Sequence, residues 1–310
     1  MGDTGYMTVL RTPEESFRGS EDSFPFPPSF VEVDSGDGSP LRMATYRAGP
    51  RDAPIVVLLH GEPTWSYLYR TVMARLAGRG IASIAVDLVG FGRSDKPAEV
   101  GDHSYARHVE WVRAALEDGL GLSGVTVVGQ DWGGLIGLRL AVEAPELVGR
   151  FVAANTGLPT GEYAMPELWW MFRRAVESAE VLDVGRFVAA GCRRGLSDED
   201  RAAYDAPFPD QALTAGQRAM PGLVPTSLDD PASAANREAW RVLSSYRRPF
   251  LVAFGDSDPI TGAMAPLLRA HVPSAAEEPE IVIANAGHFL QEDAGADLAD
   301  AVADFVARHN

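Results

Sequence analysis

Val128-Gly129-Gln130-Asp131-Trp132-Gly133-Gly134 follows an apolar run, Val125-Thr-Val-Val-Gly129, and leads into Leu135-Ile-Gly-Leu-Arg-Leu-Ala141. The first run has the β-branched, near-continuous character of a buried strand and the second the pattern of a buried helix. A strand that delivers into a helix through a turn bounded by small residues is the context of a nucleophile elbow of pattern G-x-S-x-G. Gly129 and Gly133 permit a turn that lifts the central side chain to the top of a sheet, near the positive end of the following helix. The central position holds Asp131 where the pattern has serine.

Outward from this turn, apolar runs over 54–60, 81–87, 125–129, 151–155, 250–254 and 281–284 alternate with helical segments. Such runs mark buried strands of a mostly parallel sheet covered on both faces by helices. The alternation breaks between Leu158 and Trp240, where helical stretches over 167–181 and 198–204 appear without a strong strand. A helical insertion at that place reads as a cap over the sheet's C-terminal edge, where open α/β sheets bind ligands. The expected organisation is therefore an α/β core over 1–156, a helical cap over 157–240 and the rest of the core over 241–310. Phe24-Pro25-Phe26-Pro27-Pro28 reads as an extended arm packing its Phe residues on the body.

Composition narrows the function classes. Hydrophobic residues at 46% and charged residues at 23% are ordinary globular usage. A formal net charge of -16 repels phosphate backbones and anionic lipid headgroups, so nucleic acid and membrane are poor partners. No stretch reaches the roughly 18 apolar residues of a membrane span, and the N-terminal residues lack a basic segment leading into an apolar run. The single cysteine, Cys192, excludes an intramolecular disulfide and a cysteine-ligated metal site, and reads as structural. A cytoplasmic location is expected.

Two further stretches give the elbow its company. His60-Gly61-Glu62-Pro63-Thr64-Trp65 follows the first strong strand, where the backbone N–H of Glu62 joins that of Trp132 in an expected oxyanion hole. Ala284-Asn-Ala-Gly-His288-Phe289 places a histidine after the last strand, in the chain order nucleophile, acid, histidine. The acid should follow the strand over 250–254, where Asp256 and Asp258 both stand. Asp258 is the expected acid and Asp256 the organiser of the turn. At the other strand end suited to an acid stands Asn155, which cannot stabilise an imidazolium by charge.

HGEPTWSYLYR (60–70), DLVGFGRSDKP (87–97), GQDWGG (129–134), YDAPFPD (204–210) and AGHFLQED (286–293) together resemble the haloalkane dehalogenases, and in order they span nearly the whole chain. The resemblance implies an α/β-hydrolase fold with an inserted helical cap, and hydrolysis of a halogenated alkane through an alkyl-aspartate ester. It makes Asp131 the nucleophile, His288 the base and Asp258 the acid. Trp132 would donate its indole N–H to the halide. Glu62, in place of an Asn used by one branch of the family, implies that the second halide donor is a cap tryptophan, with Trp170 favoured over Trp169. Phe208, Pro209 and Phe289 would line an apolar pocket. No cofactor or metal is implied; the partners are a small halogenated hydrocarbon, water and halide, in a monomer or small homo-oligomer.

Two other enzyme readings share the aspartate elbow: an epoxide hydrolase, using cap tyrosines such as Tyr163 and Tyr204, and a fluoroacetate-type dehalogenase, using arginines to hold a carboxylate. A catalytically silent binding protein is the reading from a different class.

Overall fold

The computed structural model describes residues 6–309. The first five residues of the N-terminal stretch read for a targeting signal lie outside the described residues. Eight strands form one sheet: β1 (Pro28–Asp34), β2 (Pro40–Ala48), β3 (Ile55–Leu59), β4 (Ala82–Val86), β5 (Val125–Gln130), β6 (Val148–Ala154), β7 (Phe250–Gly255) and β8 (Ile281–Ile283). Their spatial order is β1-β2-β4-β3-β5-β6-β7-β8. Pairings from β4 across to β8 are parallel, with Val57 opposite both Ile84 and Val127, and Val127 opposite Phe151. β2 runs antiparallel to both β1 and β4.

Each of the six apolar runs is one of the parallel strands, and β4, β5 and β7 are buried at every position. The antiparallel pair at the edge was not among them. In β1 and β2 charged residues such as Glu32, Arg42 and Arg47 interrupt the apolar ones, as a half-exposed edge requires. A short ribbon, Val9–Leu10 against Lys96–Pro97, ties down the N-terminal segment. Beyond it Phe24 is buried edge-on against Tyr46, Trp65 and Tyr67, as expected of a packed arm.

The helices α1 (Arg70–Gly78), α2 (Tyr105–Ala114) and α3 (Trp132–Glu143) follow β3, β4 and β5. Between β6 and β7 come α4 (Glu167–Ser178), α5 (Val184–Gly191), α6 (Asp198–Asp205), α7 (Ala215–Leu223) and α8 (Ser233–Leu243), without a strand. α9 (Met264–His271) and α10 (Pro273–Glu277) precede β8, and α11 (Leu290–Arg308) closes the chain. α5 and α6 start where Asp183 and Ser197 accept the backbone N–H of Arg186 and Asp200. The expected boundary at 240 falls inside α8, because its apolar face continues to the buried Leu243.

Polar contacts stitch this inserted segment to the core. Trp65 donates its indole N–H to Ala203 O at 2.9 Å, and Arg70 reaches Asp200 at 2.8 Å and Glu292 Oε2 at 2.7 Å. Closest to the sheet, Asp293 of α11 accepts the backbone N–H groups of Arg193 and Arg194 at 2.8 and 2.9 Å.

The elbow depends on one close approach. A Cβ on Gly133 would stand 2.0 Å from Leu59 O and 2.7 Å from His60 O, backbone atoms of the neighbouring strand end that cannot step aside. Gly133→Ala is accordingly expected to lower stability by about 1–3 kcal/mol through overpacking. Urea unfolding of the variant reads it, and an unchanged midpoint would contradict this packing.

Candidate active site

Asp131 sits between β5 and α3 with φ 50° and ψ -125°, a conformation that L-residues disfavour. Its backbone is fixed from both sides: its N–H donates to Asn155 O at 3.0 Å, and its carbonyl accepts from Gly134 N at 2.9 Å and Thr156 Oγ1 at 2.7 Å. Facing it is Gly61, where any Cβ would lie 2.4 Å from both Cβ and Oδ1 of Asp131. That bare backbone lets the next amide approach, and Glu62 N donates to Asp131 Oδ1 at 2.9 Å. The other amide of the expected oxyanion hole, Trp132 N–H, opens α3 and so has no intrahelical acceptor.

Asp131 Oδ2 lies 3.5 Å from His288 Nε2, and His288 Nδ1 lies 3.2 Å from each oxygen of Asp258. Asp258 is anchored in turn, accepting from Ile260 N at 2.9 Å and from the Thr261 hydroxyl. Asp256, the alternative acid, is occupied elsewhere: it accepts from Asn285 N at 3.0 Å, Ala286 N at 3.3 Å and Ser257 Oγ at 2.7 Å. It organises the crossing between the ends of β7 and β8.

Sequence reasoning missed two side chains here. Asn155, read only as a missing acid, donates to Gly287 O at 2.7 Å and His288 O at 3.0 Å and accepts from Gly255 N at 2.8 Å. It joins the elbow, the acid strand and the histidine loop through one amide. Gln130 donates to His288 O at 3.2 Å from the residue before the nucleophile. An uncharged side chain serves both places better than a carboxylate, which would repel the carbonyls it must bind.

Charge is tuned by this enclosure. Burial works against a cationic His288, but Asp258 and then Asp131 outweigh it and raise its pKa to about 10. Burial likewise opposes ionisation of Asp258, yet His288 and the Thr261 and Ile260 donors hold it down at about 2. Glu62 is buried, and burial together with the Asp131 charge pushes its carboxyl well above the usual range. For Cys192 burial comes first and raises the thiol, whose Sγ contacts Val188 O at 3.2 Å, so the two neighbouring arginines do not make it a thiolate.

A cavity of about 1220 Å³ opens above Asp131, with Trp132, Leu135, Trp169, Phe172 and Phe289 among its walls. Met171 and Tyr163 line it while exposed by 56% and 83%, which makes its mouth apolar. Of the expected pocket residues Phe289 is in the wall, but Phe208 and Pro209 are not. Phe208 is buried facing Lys96, its ring 5.8 Å from Nζ, and Pro209 lies exposed beyond it. The two cap tryptophans are placed differently. Trp169 is buried in the cavity wall; Trp170, about 100° further round the helix, stacks edge-on behind it at 4.8 Å and does not line the cavity.

The six tryptophans divide by what their N–H groups do. Trp65, Trp111 and Trp240 donate to the backbone carbonyls of Ala203, Asp34 and Leu158 at 2.9, 3.0 and 2.8 Å. No group among the described residues accepts the indole N–H of Trp132, Trp169 or Trp170, and of these three Trp132 and Trp169 line the cavity. Among the described residues no cluster of His, Cys, Asp and Glu is placed to hold a metal ion, and no helix is long and apolar enough to cross a membrane.

A family profile described as alpha/beta hydrolase fold matches residues 54–295. The chain is 50% identical over 297 residues to a haloalkane dehalogenase of Mycolicibacterium paratuberculosis, covering 96% of this chain and 97% of that protein. It is 43% identical over 300 residues to a haloalkane dehalogenase of Psychrobacter cryohalolentis, covering 97% and 98%. The tetrameric structure of haloalkane dehalogenase DpaA from Paraglaciecola agarilytica superposes with a TM-score of 0.87 at 34% identity, over 95% of this chain and 97% of that one.

The ionisation directions have a sign that can be measured. The stabilisation His288 gains from its carboxylates is complete below its unfolded pKa of 6.5 and is lost as pH rises through about 10. That of Asp258 is complete above 3.8 and is lost as pH falls through about 2. In an NMR titration His288 should therefore hold its proton well past neutrality, and Asp258→Asn and Asp131→Asn should each lower its midpoint. A midpoint near 6.5 in the unaltered protein would refute this electrostatic arrangement.

Proposed function

Because this chain belongs to the haloalkane dehalogenases of the α/β-hydrolase fold, we propose that it hydrolyses a carbon–halogen bond to an alcohol, a halide ion and a proton through an ester of Asp131. The observation that carries the reading is the pair of unclaimed indole N–H groups, Trp132 and Trp169, in the wall of the cavity that also opens on the Asp131 carboxylate. Neutral donors stabilise a leaving halide as its charge develops without retaining it as tightly as a cation would. Glu62 offers a carboxyl rather than an amide side chain, so the second donor comes from the inserted helices, which act as the cap.

Asp131 uses its two oxygens differently. Oδ1 rests on Glu62 N–H, and Oδ2 attacks the carbon bearing the halogen. The C–O bond forms as the C–X bond breaks, and the electron pair leaves with the halide. Esterification removes the Asp131 charge, one of the two carboxylates that hold the proton on His288. The imidazolium thereby becomes more acidic and gives its proton to solvent, so the ring is neutral when a base is needed. His288 Nε2 then takes a proton from the water that attacks the ester carbonyl carbon, Asp258 stabilises the imidazolium, and the amides of Glu62 and Trp132 hold the oxyanion.

The epoxide hydrolase reading loses its acids. Tyr204 is buried, donates to Glu292 and does not line the cavity, while Tyr163 stands at the mouth, 83% exposed. Ring opening needs a tyrosine held beside the nucleophile, and neither supplies one.

His288→Phe should release about one halide per active site and then stop, with the alkyl group retained on Asp131 as a mass increase in the intact protein. Sustained turnover by this variant, or no adduct with a substrate the unaltered enzyme consumes, would exclude the two-step scheme. Trp132→Phe and Trp169→Phe should each weaken bromide or iodide binding about tenfold or more, the loss of one hydrogen bond to a charged group of about 1.5–3 kcal/mol. Trp170→Phe should have little effect. Saturable quenching of tryptophan fluorescence reads the affinities, and a larger loss in the Trp170 variant would transfer the donor role back to it.

A further inference from the structure

We infer that the end of the cavity bounded by α8 recognises a carboxylate carried at the far end of a halogenated alkyl chain, with Arg237 as the specificity-determining residue. The inference deepens the dehalogenase reading of Asp131 and rests on it. Arg237 and Trp240, three residues apart on one face of α8, both line the cavity. Arg237 Nη1 is shielded from solvent and has no hydrogen-bond partner, and among the described residues the guanidinium forms no ion pair. Other sheltered arginines of the chain are matched: Arg70 by Asp200 and Glu292, Arg139 by Glu143 and Asn236. Arg237 is half-buried and Nη1 is its sheltered donor; left unmatched, that donor costs free energy that an oxygen acceptor in the cavity would recover.

The acidic groups nearby in sequence are engaged elsewhere. Glu238 pairs with Arg241, and Asp230 accepts the backbone N–H groups of Thr226 and Ser227. Among the described residues, the only carboxylate in the cavity wall besides Glu62 and Asp131 is Glu162, which accepts from the Thr160 hydroxyl at 2.8 Å. The planar guanidinium is suited to a carboxylate, which it binds through two parallel N–H donors.

Position selects the chain type. Arg237 lines the same cavity as Asp131 but, among the described residues, makes no hydrogen bond or ion pair with Asp131, Glu62 or His288. A carboxylate on the carbon under attack is therefore mismatched, while one at the opposite end of a chain is matched. At about 1220 Å³ the cavity exceeds the roughly 300–1,000 Å³ of an ordinary small-molecule pocket, room for a chain and not only a short haloalkane. The surface charge of -16 opposes the approach of an anion, but at physiological salt it is screened over about 8 Å, unlike a sheltered contact. The reaction balances as a terminal haloalkanoate plus water giving a terminal hydroxyalkanoate, halide and a proton.

The test compares terminal bromoalkanoates with bromoalkanes of matched chain length, in the unaltered enzyme and in Arg237→Leu, Arg237→Gln and Arg237→Lys, by kcat/KM for bromide release. Both neutral variants should lose about tenfold or more on the acids of favoured length, keep their rate on the bromoalkanes, and leave Arg237→Lys between. Equal selectivity in all four proteins would overturn the proposal. Halogen-free alkanoates are measured in parallel by thermal shift. If no bromo compound is turned over, the dehalogenase reading fails by itself, whereas protection by alkanoates that disappears in Arg237→Leu still supports the carboxylate site. Protection that persists in that variant overturns it.

Discussion

The φ of 50° at Asp131 is the constraint from which most of the site follows. A non-glycine residue held there costs about 1–3 kcal/mol and persists only where its surroundings over-determine it. They do so through atoms that cannot move independently: Asn155 O takes the N–H, Thr156 Oγ1 and Gly134 N take the carbonyl, and Leu59 O presses against Gly133. The side chain is thus presented by the ends of β3, β5 and β6 together. Gly61, with no room for a Cβ, completes the constraint by bringing the Glu62 amide onto one carboxylate oxygen and leaving the other to His288.

Three carboxyl groups and one imidazole share this small volume, and their arrangement keeps the repulsion low. Asp258 has the imidazole and two further donors to itself and remains ionised. Asp131 has one amide and a longer contact to the same ring. Glu62 has only burial and a negative neighbour, and both disfavour its charged form. An ionised Glu62 would add a like charge beside the Asp131 carboxylate that its own backbone N–H holds.

The parallel sheet was legible because strands buried on both faces must be apolar at nearly every position, and the meeting of Asp131, Asp258 and His288 because they stand at strand ends in that chain order. The edge strands β1 and β2 were not, since their half-exposed alternation resembles surface loop. Asn155 and Gln130 were hidden for another reason: an amide that ties three backbone segments leaves no periodic trace, and only the fold shows which carbonyls converge on it. Trp169 and Trp170 differ by one residue, hence by about 100° around α4. Sequence shows both aromatic rings, but which one faces the cavity depends on how α4 is rolled over the core. Phe208 and Pro209 lie outside the cavity wall for a similar reason, because APFPD turns its apolar residues toward Lys96 and the surface.

The inserted helices are not equally free of the catalytic group. His288 N–H donates to Gly191 O at the end of α5, and Asp293, which accepts Gly287 N–H, also holds the amides of Arg193 and Arg194. The histidine loop and the end of α5 are therefore hydrogen-bonded as one piece, and lifting α5 would carry the base away from Asp131. Among the described residues, the segment 157–166 before α4 has no such bond to the histidine loop, and its Tyr163 is largely exposed at the mouth. Displacing α5 would break the register of His288 with Asp131, whereas the described residues around Tyr163 and Met171 make no hydrogen bond to that pair. The exposed mouth of the cavity and the contact that holds His288 thus lie on different parts of the insertion.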